Sequence, residues 1–462
     1  MSFSPKLIVE VIRENGDRFY IPSFYTKVDQ VIGLNSDWFK IHIENKNNEY
    51  DWMMDEIDTL QIIIYMGYTK HAESRISKDY ITDLRPMIHG WIARLSATFG
   101  SIGKIMTLEG GDASFMFNKQ YTGDLMIRRN PAKKSKTLQD SYLVGSGWEI
   151  IKQVTRANWT TGVKCMTPDG IELVAHQSFM DMYKPIGGVT QTQYFPDGLT
   201  ETERKALLSV PYYQVNNRNR LEVIDDIVGR TGYYAWVEPG YNKLYIATRE
   251  WVRANQKTIP PLENWDKGEF SEGDNKDKGN WIKFKKLPHF ENGLQFEIKY
   301  WNWEKDHYIS HALIGPTDTQ NLQKGIAHFI GNPKKDAAVI INSSDEPVTK
   351  ESADRRAYAA INRIVTQRLV VSGQTYGNTD IIPGSLVPIK GCGKWDQNYL
   401  IVHASHLFSR KGYSTLFNAR LPNLIETKND TNVLLNPYTT VKVGNYVKAT
   451  TIDSMLNSKV TA

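Results

Sequence analysis

The first hundred or so residues carry the period-two alternation of extended chain. Leu7-Ile8-Val9-Glu10-Val11-Ile12 runs into a polar turn at Glu14-Asn15-Gly16-Asp17 and then Arg18 to Ile21, which predicts a hairpin. Trp38 to Ile43 alternates apolar with polar, as a strand with one wet face must. Leu60 to Met66 is more continuously apolar and predicts a strand buried on both faces. Ile88 to Leu95 and Lys104 to Gly110 supply further strands. Many short strands broken by Gly, Asn and Asp predict a barrel or a sandwich.

The period changes from about residue 112 to 290. Trp148, Ile151, Val154 and Thr155 share one face of a helix running to about Ala157. Leu221, Ile224, Ile227 and Val228 do the same in a second helix, which Gly232 is placed to end. Trp148-Glu149-Ile150-Ile151 and Leu221-Glu222-Val223-Ile224 are similar. Each is followed by a short apolar strand, a Pro-Gly type of turn (Pro168-Asp169-Gly170; Pro239-Gly240) and another strand. Two related helix-plus-hairpin units are predicted. Residues 263–280 are rich in Gly, Asp and Lys and predict an exposed linker.

The last third returns to strands after one helix, N-capped by Thr349 with Glu351 in its first turn. Ala353, Ala357, Ala360, Ile361, Ile364 and Val365 form its narrow apolar stripe. Strands are predicted at Leu369 to Val371, Ser385 to Ile389, Tyr399 to His403 and Tyr413 to Leu421. Beyond Pro422 the Asn- and Thr-rich tail has too little apolar surface for a core of its own and is expected to gain order against a partner.

Composition narrows the classes. In 462 residues, 40% hydrophobic and 11% aromatic, there is material for several cores. A net charge of +5 from 56 basic and 51 acidic residues is too even for a dedicated nucleic-acid binder. The densest basic run, Lys133-Lys134-Ser135-Lys136, reads as a solvated loop. Two cysteines, Cys165 and Cys392, predict folding in a reducing cytoplasm without structural disulfides. The first residues lack a basic region followed by an apolar one, and no run reaches the length of a membrane span, so neither secretion nor membrane insertion is expected.

Candidate chemistry is sparse. No HExxH, CxxC or P-loop occurs, and Gly145-Ser146-Gly147 is a broken GxGxxG with Ile150 at the third glycine, better read as a helix start. His403 and His406 share a predicted strand at a spacing that sends them to opposite faces. His307 and His311 fall in a segment that Tyr308-Ile309-Ser310 makes extended. Cys165 with His176 could be a thiol and its base, but nothing in the sequence orients the imidazole. Asp225 and Asp226 project in different directions from a helix, a poor acid/base pair. Trp301 and Trp303 share a strand face and suit packing or an interface better than a sugar platform. No catalytic, metal-ligating or cofactor-binding residue is therefore assigned, and no cofactor is expected.

The order of these elements carries a resemblance. Thr349 to Arg363, an Ala- and Arg-rich helix, is followed by Thr379-Asp380-Ile381-Ile382-Pro383-Gly384-Ser385-Leu386-Val387. Then comes Tyr399-Leu400-Ile401-Val402-His403-Ala404-Ser405-His406, ending in Gly412-Tyr413-Ser414-Thr415. Together these resemble the C-terminal part of the phage late-control-D and baseplate-hub family, which includes the hub portion of type VI secretion spikes. Asp58 to Ile64, His89-Gly90-Trp91-Ile92 and Lys104 to Asp112 follow the order of that family's first barrel. Residues 112–200 and 255–290 depart from it.

The resemblance implies a β-rich α+β fold. Two tail-tube-like antiparallel β-barrels, 1–112 and 291–422, would be split by an inserted α+β region, 113–290, and followed by an extended tail, 423–462. It further implies a non-enzymatic virion protein made in the host cytoplasm, the homotrimeric central hub of a tail baseplate. Its partners would be a tail tube or tube-initiating protein above, a central spike or tip protein below, and baseplate wedge proteins. Its channel would pass the tape measure protein and DNA without reading sequence. A tail-borne cell-wall or glycan hydrolase is the alternative that the aromatic richness leaves open.

Overall fold

The computed structural model describes residues 4–69, 84–100, 103–119, 142–143, 147–158, 164–176, 183–185, 194–196, 213–214, 218–231, 233–247, 257–262, 281–286, 294–302, 307–313, 338–344 and 369–422, with the single positions 252, 255 and 366. The helix expected from Thr349, the tail from residue 423, the Lys133–Lys136 run, the 263–280 linker, Gly232 and Trp303 lie outside them.

Seven strands come from the first segment: β1 (Ser4–Ile12), β2 (Arg18–Ile21), β3 (Tyr25–Val31), β4 (Trp38–Glu44), β5 (Gln61–Thr69), β6 (Arg85–Gly100) and β7 (Gly103–Gly111). All their pairings are antiparallel, in the order β3-β4-β7-β6-β5-β1-β2. In β3 and β4 every second side chain is buried, the alternation visible in their sequences. The inward residues Val9, Ile21, Val28, Phe39, Ile41, Ile62, Ile64, Ile88 and Leu108 meet in one core, so the sheet curls around its own apolar face. Gly110 is required here: a Cβ would lie 1.9 Å from the Trp91 carbonyl oxygen and 2.6 Å from Phe39 Cζ.

The middle of the chain forms α1 (Ala113–Lys119), β8 (Tyr142–Leu143), α2 (Gly147–Thr155), β9 (Lys164–Met166), β10 (Glu172–Ala175), β11 (Tyr183–Pro185), β12 (Tyr194–Pro196), β13 (Tyr213–Gln214), α3 (Arg220–Thr231), β14 (Tyr234–Val237) and β15 (Lys243–Ala247). Helices α2 and α3 are each followed by a hairpin, β9-β10 and β14-β15. Parallel pairing of β10 with β15 makes one sheet of the two, in the order β14-β15-β10-β9. The stripes Trp148/Ile151/Val154 and Ile224/Ile227/Val228 pack on Leu173, Leu244 and Ile246. Leu34 and Trp91, contributed from before β4 and from β6, enter the same core and tie it to the first sheet.

The C-terminal strands are β16 (Trp281–Lys286), β17 (Leu294–Asn302), β18 (His307–Leu313), β19 (Ala338–Ser344), β20 (Leu369–Tyr376), β21 (Leu386–Ile389), β22 (Gln397–Ser409) and β23 (Gly412–Arg420). Strands β18-β17-β19 form a separate sheet, whereas β16-β20-β23-β22 continue directly into β3. Leu369, Val371, Val387, Tyr399, Ile401, Phe417 and Ala419 build the second core, with Ile282 and Phe284 of β16 against it.

Among the described residues, two closed barrels are not formed. The two ends of the chain share one open, 12-stranded sheet that runs from β16 to β2, with β21 paired to β22 off this path. The reason is the arithmetic of strand edges. A strand has two edges; β3 spends one on β4 and the other on β22, so none is left to close a barrel with β2. Strand β22 is likewise occupied on both sides by β23 and β3. The fold is a β-rich mixture of a large antiparallel sheet with few helices among the described residues.

Candidate functional site: the seam joining the two ends of the chain

The β22–β3 seam pairs His403 with Val31 through to Ser409 with Tyr25, and the Ile32 N–H donates to the Val402 carbonyl at 2.9 Å. A register shift between Ile401 and His403 in the β22–β23 ladder bends β22 where it meets β3. Thr26, Gln30, Ala404, Ser405 and His406 are all buried along this seam. The buried Gln30 side-chain amide donates to the Met87 carbonyl at 2.5 Å, tying β3 across to β6.

His406 and His403 take the different environments expected from their spacing. His406 is fully buried. Its Nε2 faces the Ile381 carbonyl at 3.0 Å and must donate to it, so Nδ1 accepts from the Tyr413 hydroxyl at 2.9 Å. Burial pushes the imidazole down to about 4, making it a neutral structural connector between β22, β23 and the turn before β21. His403, partly exposed, lies 3.9 Å from the Asp29 carboxylate across the seam.

A second junction is ionic. Asp380 accepts from Arg85 at 3.3 Å and from Lys257 at 2.5 Å, and Arg85 also donates to the Thr379 carbonyl at 3.1 Å. One carboxylate thus connects the start of β6, the segment 257–262 and the C-terminal strands. All three groups are partly exposed, so Asp380→Ala should cost only about 0.2–1 kcal/mol in urea denaturation, fading with added salt. A loss several times larger would mean that the cluster is a buried keystone.

A third junction holds two buried carboxyl groups. Asp37 precedes β4 and Asp112 follows β7, and the Asp112 N–H donates to the Asp37 carbonyl at 3.2 Å. Asp37 Oδ1 accepts from the Val31 N–H at 2.8 Å. Asp112 Oδ1 caps α1, accepting from Ser114 N–H at 3.0 Å and Phe115 N–H at 3.3 Å. Burial pushes both carboxyls above the usual carboxylate range, Asp112 to about 7, and the Asp112 charge pushes Asp37 further.

Past Trp91, where its pairing with β5 ends, β6 keeps only β7 as a neighbour among the described residues and runs on with Ser96 to Gly100 exposed. Phe99 on this arm is 75% exposed. Such an uncovered edge is ordinarily blunted in a protein that stays alone.

The chemistry candidates are scattered. Cys165, buried, sits on β9 opposite Leu173, and His176 lies past the end of β10, beside β15. Asp226 binds Arg218 at 2.8 Å, and Asp225 lies beside it on α3. Gly147 begins α2, the helix start read from the sequence. His307 and His311 lie on β18, and Trp301 on β17. Among the described residues no group of three or more His, Cys, Asp or Glu is placed to hold a metal ion, and no helix is long and apolar enough to cross a membrane. Asp37, Asp112, Asp380, Arg85 and Lys257 were not singled out by sequence; only the glycine pair before Asp112, at the start of a helix, signals a cap.

No protein-family profile matches the sequence, and no curated protein does. Solved structures do. The chain is similar to a 43 kDa tail protein of prophage MuSo2 from Shewanella oneidensis, at 12% identity and a TM-score of 0.49, over 90% of this chain and 98% of that one. It is similar to a tail protein from Neisseria meningitidis at 10% identity and 0.47, over 90% and 96%. A type VI secretion component of Escherichia coli matches at 8% identity and 0.44, over 90% and 76%. At TM-scores below 0.5, the assignment of a role rests on the residues and pairings described above.

Proposed function

We propose that this chain is a structural protein of a phage tail, the homotrimeric hub of the baseplate. The observation that carries the reading is the fusion of the chain's two ends into one sheet, with helix-bearing units inserted between them. This is the split arrangement implied by the family resemblance of residues 1–112 and 347–421, with open curled sheets in place of closed barrels. Each curled set is a tube-wall element, and three copies would place six such elements around one axis. In this reading 1–112 and 291–422 build the ring together with β16, the rest of 113–290 decorates it, and 423–462 reaches a neighbour. The ring adapts a tail tube or tube-initiating protein above to a spike or tip protein below. Wedge proteins surround it, and its channel passes tape measure protein and DNA. The scattered chemistry supports a scaffold rather than an enzyme.

Quantitative mass measurement of assembled tails containing this chain should give three copies per tail, and negative-stain images of the purified ring should show three-fold symmetry. Six copies, or a chain that never enters tails, would overturn the hub reading. A clearing band on a cell-wall zymogram would move the assignment to a hydrolase.

A further inference from the structure

Two buried carboxylic acids that act on one another are unfavourable when both are ionised, and among the described residues no cation is paired with either. Among the described residues, the carboxylates acting on Asp37 are Asp112 and, from β3, Asp29, both of the same sign. Asp29 is itself paired with Lys27 at 2.7 Å and has His403 of β22 at 3.9 Å. On β4 and β7, Lys40 and Glu109 pair with each other at 2.8 Å, and Arg94 of β6 joins Glu109 at 3.6 Å. Helix α1 carries Lys119 at its far end, and α3 contributes the buried Arg220 and the capping Glu222. None of these bases pairs with Asp37 or Asp112. A second observation is independent of titration: Asp112 Oδ1 is committed to capping α1, while the buried Oδ2 accepts no hydrogen bond of good geometry, although the Asp37 backbone N–H is turned toward the carboxyl and favours its charge.

We propose that Asp37 and Asp112 form a proton-holding latch at the doorway between the first sheet and the helix–hairpin units. The neighbourhood places it there. Asp112 is the last residue before α1, α1 packs on α3 with Asn219 donating to Asn118 at 2.8 Å, and Leu34 and Trp91 carry the first sheet into the core beneath the helices. With both carboxyls protonated, the cap and the Asp37–Asp112 backbone contact sit in a neutral pocket. Each proton that leaves adds one negative charge there, and once both have left two like charges share the pocket and the first turn of α1 gives way first. The latch does not depend on what the sheet assembles with.

The sign follows from linkage. A carboxyl raised in the native state binds its proton there after the unfolded or opened chain has lost it. Its contribution is therefore full below the ordinary carboxylate pKa and is lost as pH rises from there through about 7. The buried His406 and His89, both pushed down to about 4, act in the opposite direction at acid pH. The comparison must therefore be between variants at each pH.

The experiment is hydrogen exchange of the full-length protein and of Asp37→Asn and Asp112→Asn, each read at pH 5 and pH 8 after correction for intrinsic rates. Asparagine keeps the cap acceptor and the shape but holds no titratable proton. Opening of Ser114 to Lys119 in the original chain, divided by that in either variant, should rise by about tenfold or more between the two pH values. Amides in the interior of β5 should show no such rise. If Asp112→Asn does not fold, Asp37→Asn alone decides. A ratio that does not move with pH would overturn the latch. So would protection of α1 restored at pH 8 by calcium or magnesium in the original chain but not in the variants, which would assign the pair to a cation.

Discussion

Replacing Ala404 with proline is expected to break the seam and split the cooperative unfolding of the large sheet into two transitions. Ala404 is fully buried on β22, opposite Phe417 of β23 on one side and Gln30 of β3 on the other. Proline there removes a ladder donor and sets a ring against a neighbouring strand, at about 3 kcal/mol or more. The two cores on either side have different residues, so each half retains part of its own stability. Urea denaturation followed by tryptophan fluorescence checks this, with Trp52 reporting the first core and Trp395 the second. A single transition with an unshifted midpoint would show that the seam is not what joins the halves.

The other large effect is expected at Phe417. Its ring is buried in the second core and lies across Gly373, its cross-strand partner, where a Cβ would come within 2.6 Å of Phe417 Cζ. Phe417→Ala should cost about 3–5 kcal/mol through lost burial and the cavity left behind. Gly373→Ala alone should cost about 1–3 kcal/mol by overpacking. Because both act on one contact, Phe417→Ala combined with Gly373→Ala should cost less than the sum of the two single changes. Strict additivity in thermal or urea denaturation would mean that ring and glycine do not share the space described.

The elements were more legible than their assembly. Trp38–Glu44 declares itself because one face is buried and the other wet, and the stripes of α2 and α3 do so because each helix has a single apolar side. Strand β22 was harder to bound. It continues past His403 to Ser409 because Ser405 and His406 are buried by pairing and hydrogen bonding, which hydropathy does not register. Strand β6 outruns its pattern because its last residues are exposed on both faces. Barrel closure was expected and not found, since alternation says which face is buried but not which edge a strand pairs with. The carboxyl junction was invisible for a related reason. Asp37 and Asp112 come together only through the β4–β7 ladder, where Trp38 pairs with Gly111.

The position of β3 and β22 near opposite ends of the chain has a consequence for how the protein is made. Synthesis proceeds from the N-terminus at about 5–20 residues per second, so β3 waits on the order of tens of seconds before β22 leaves the ribosome. During that time its outer edge is a bare template for any extended segment nearby. The strand carries its own protection. Lys27 and Asp29, on the face turned away from the core, place a charge of each sign in the middle of the exposed stretch. These two residues, which contribute little to the finished sheet, act earliest in the life of the molecule, keeping β3 unclaimed until its own partner arrives.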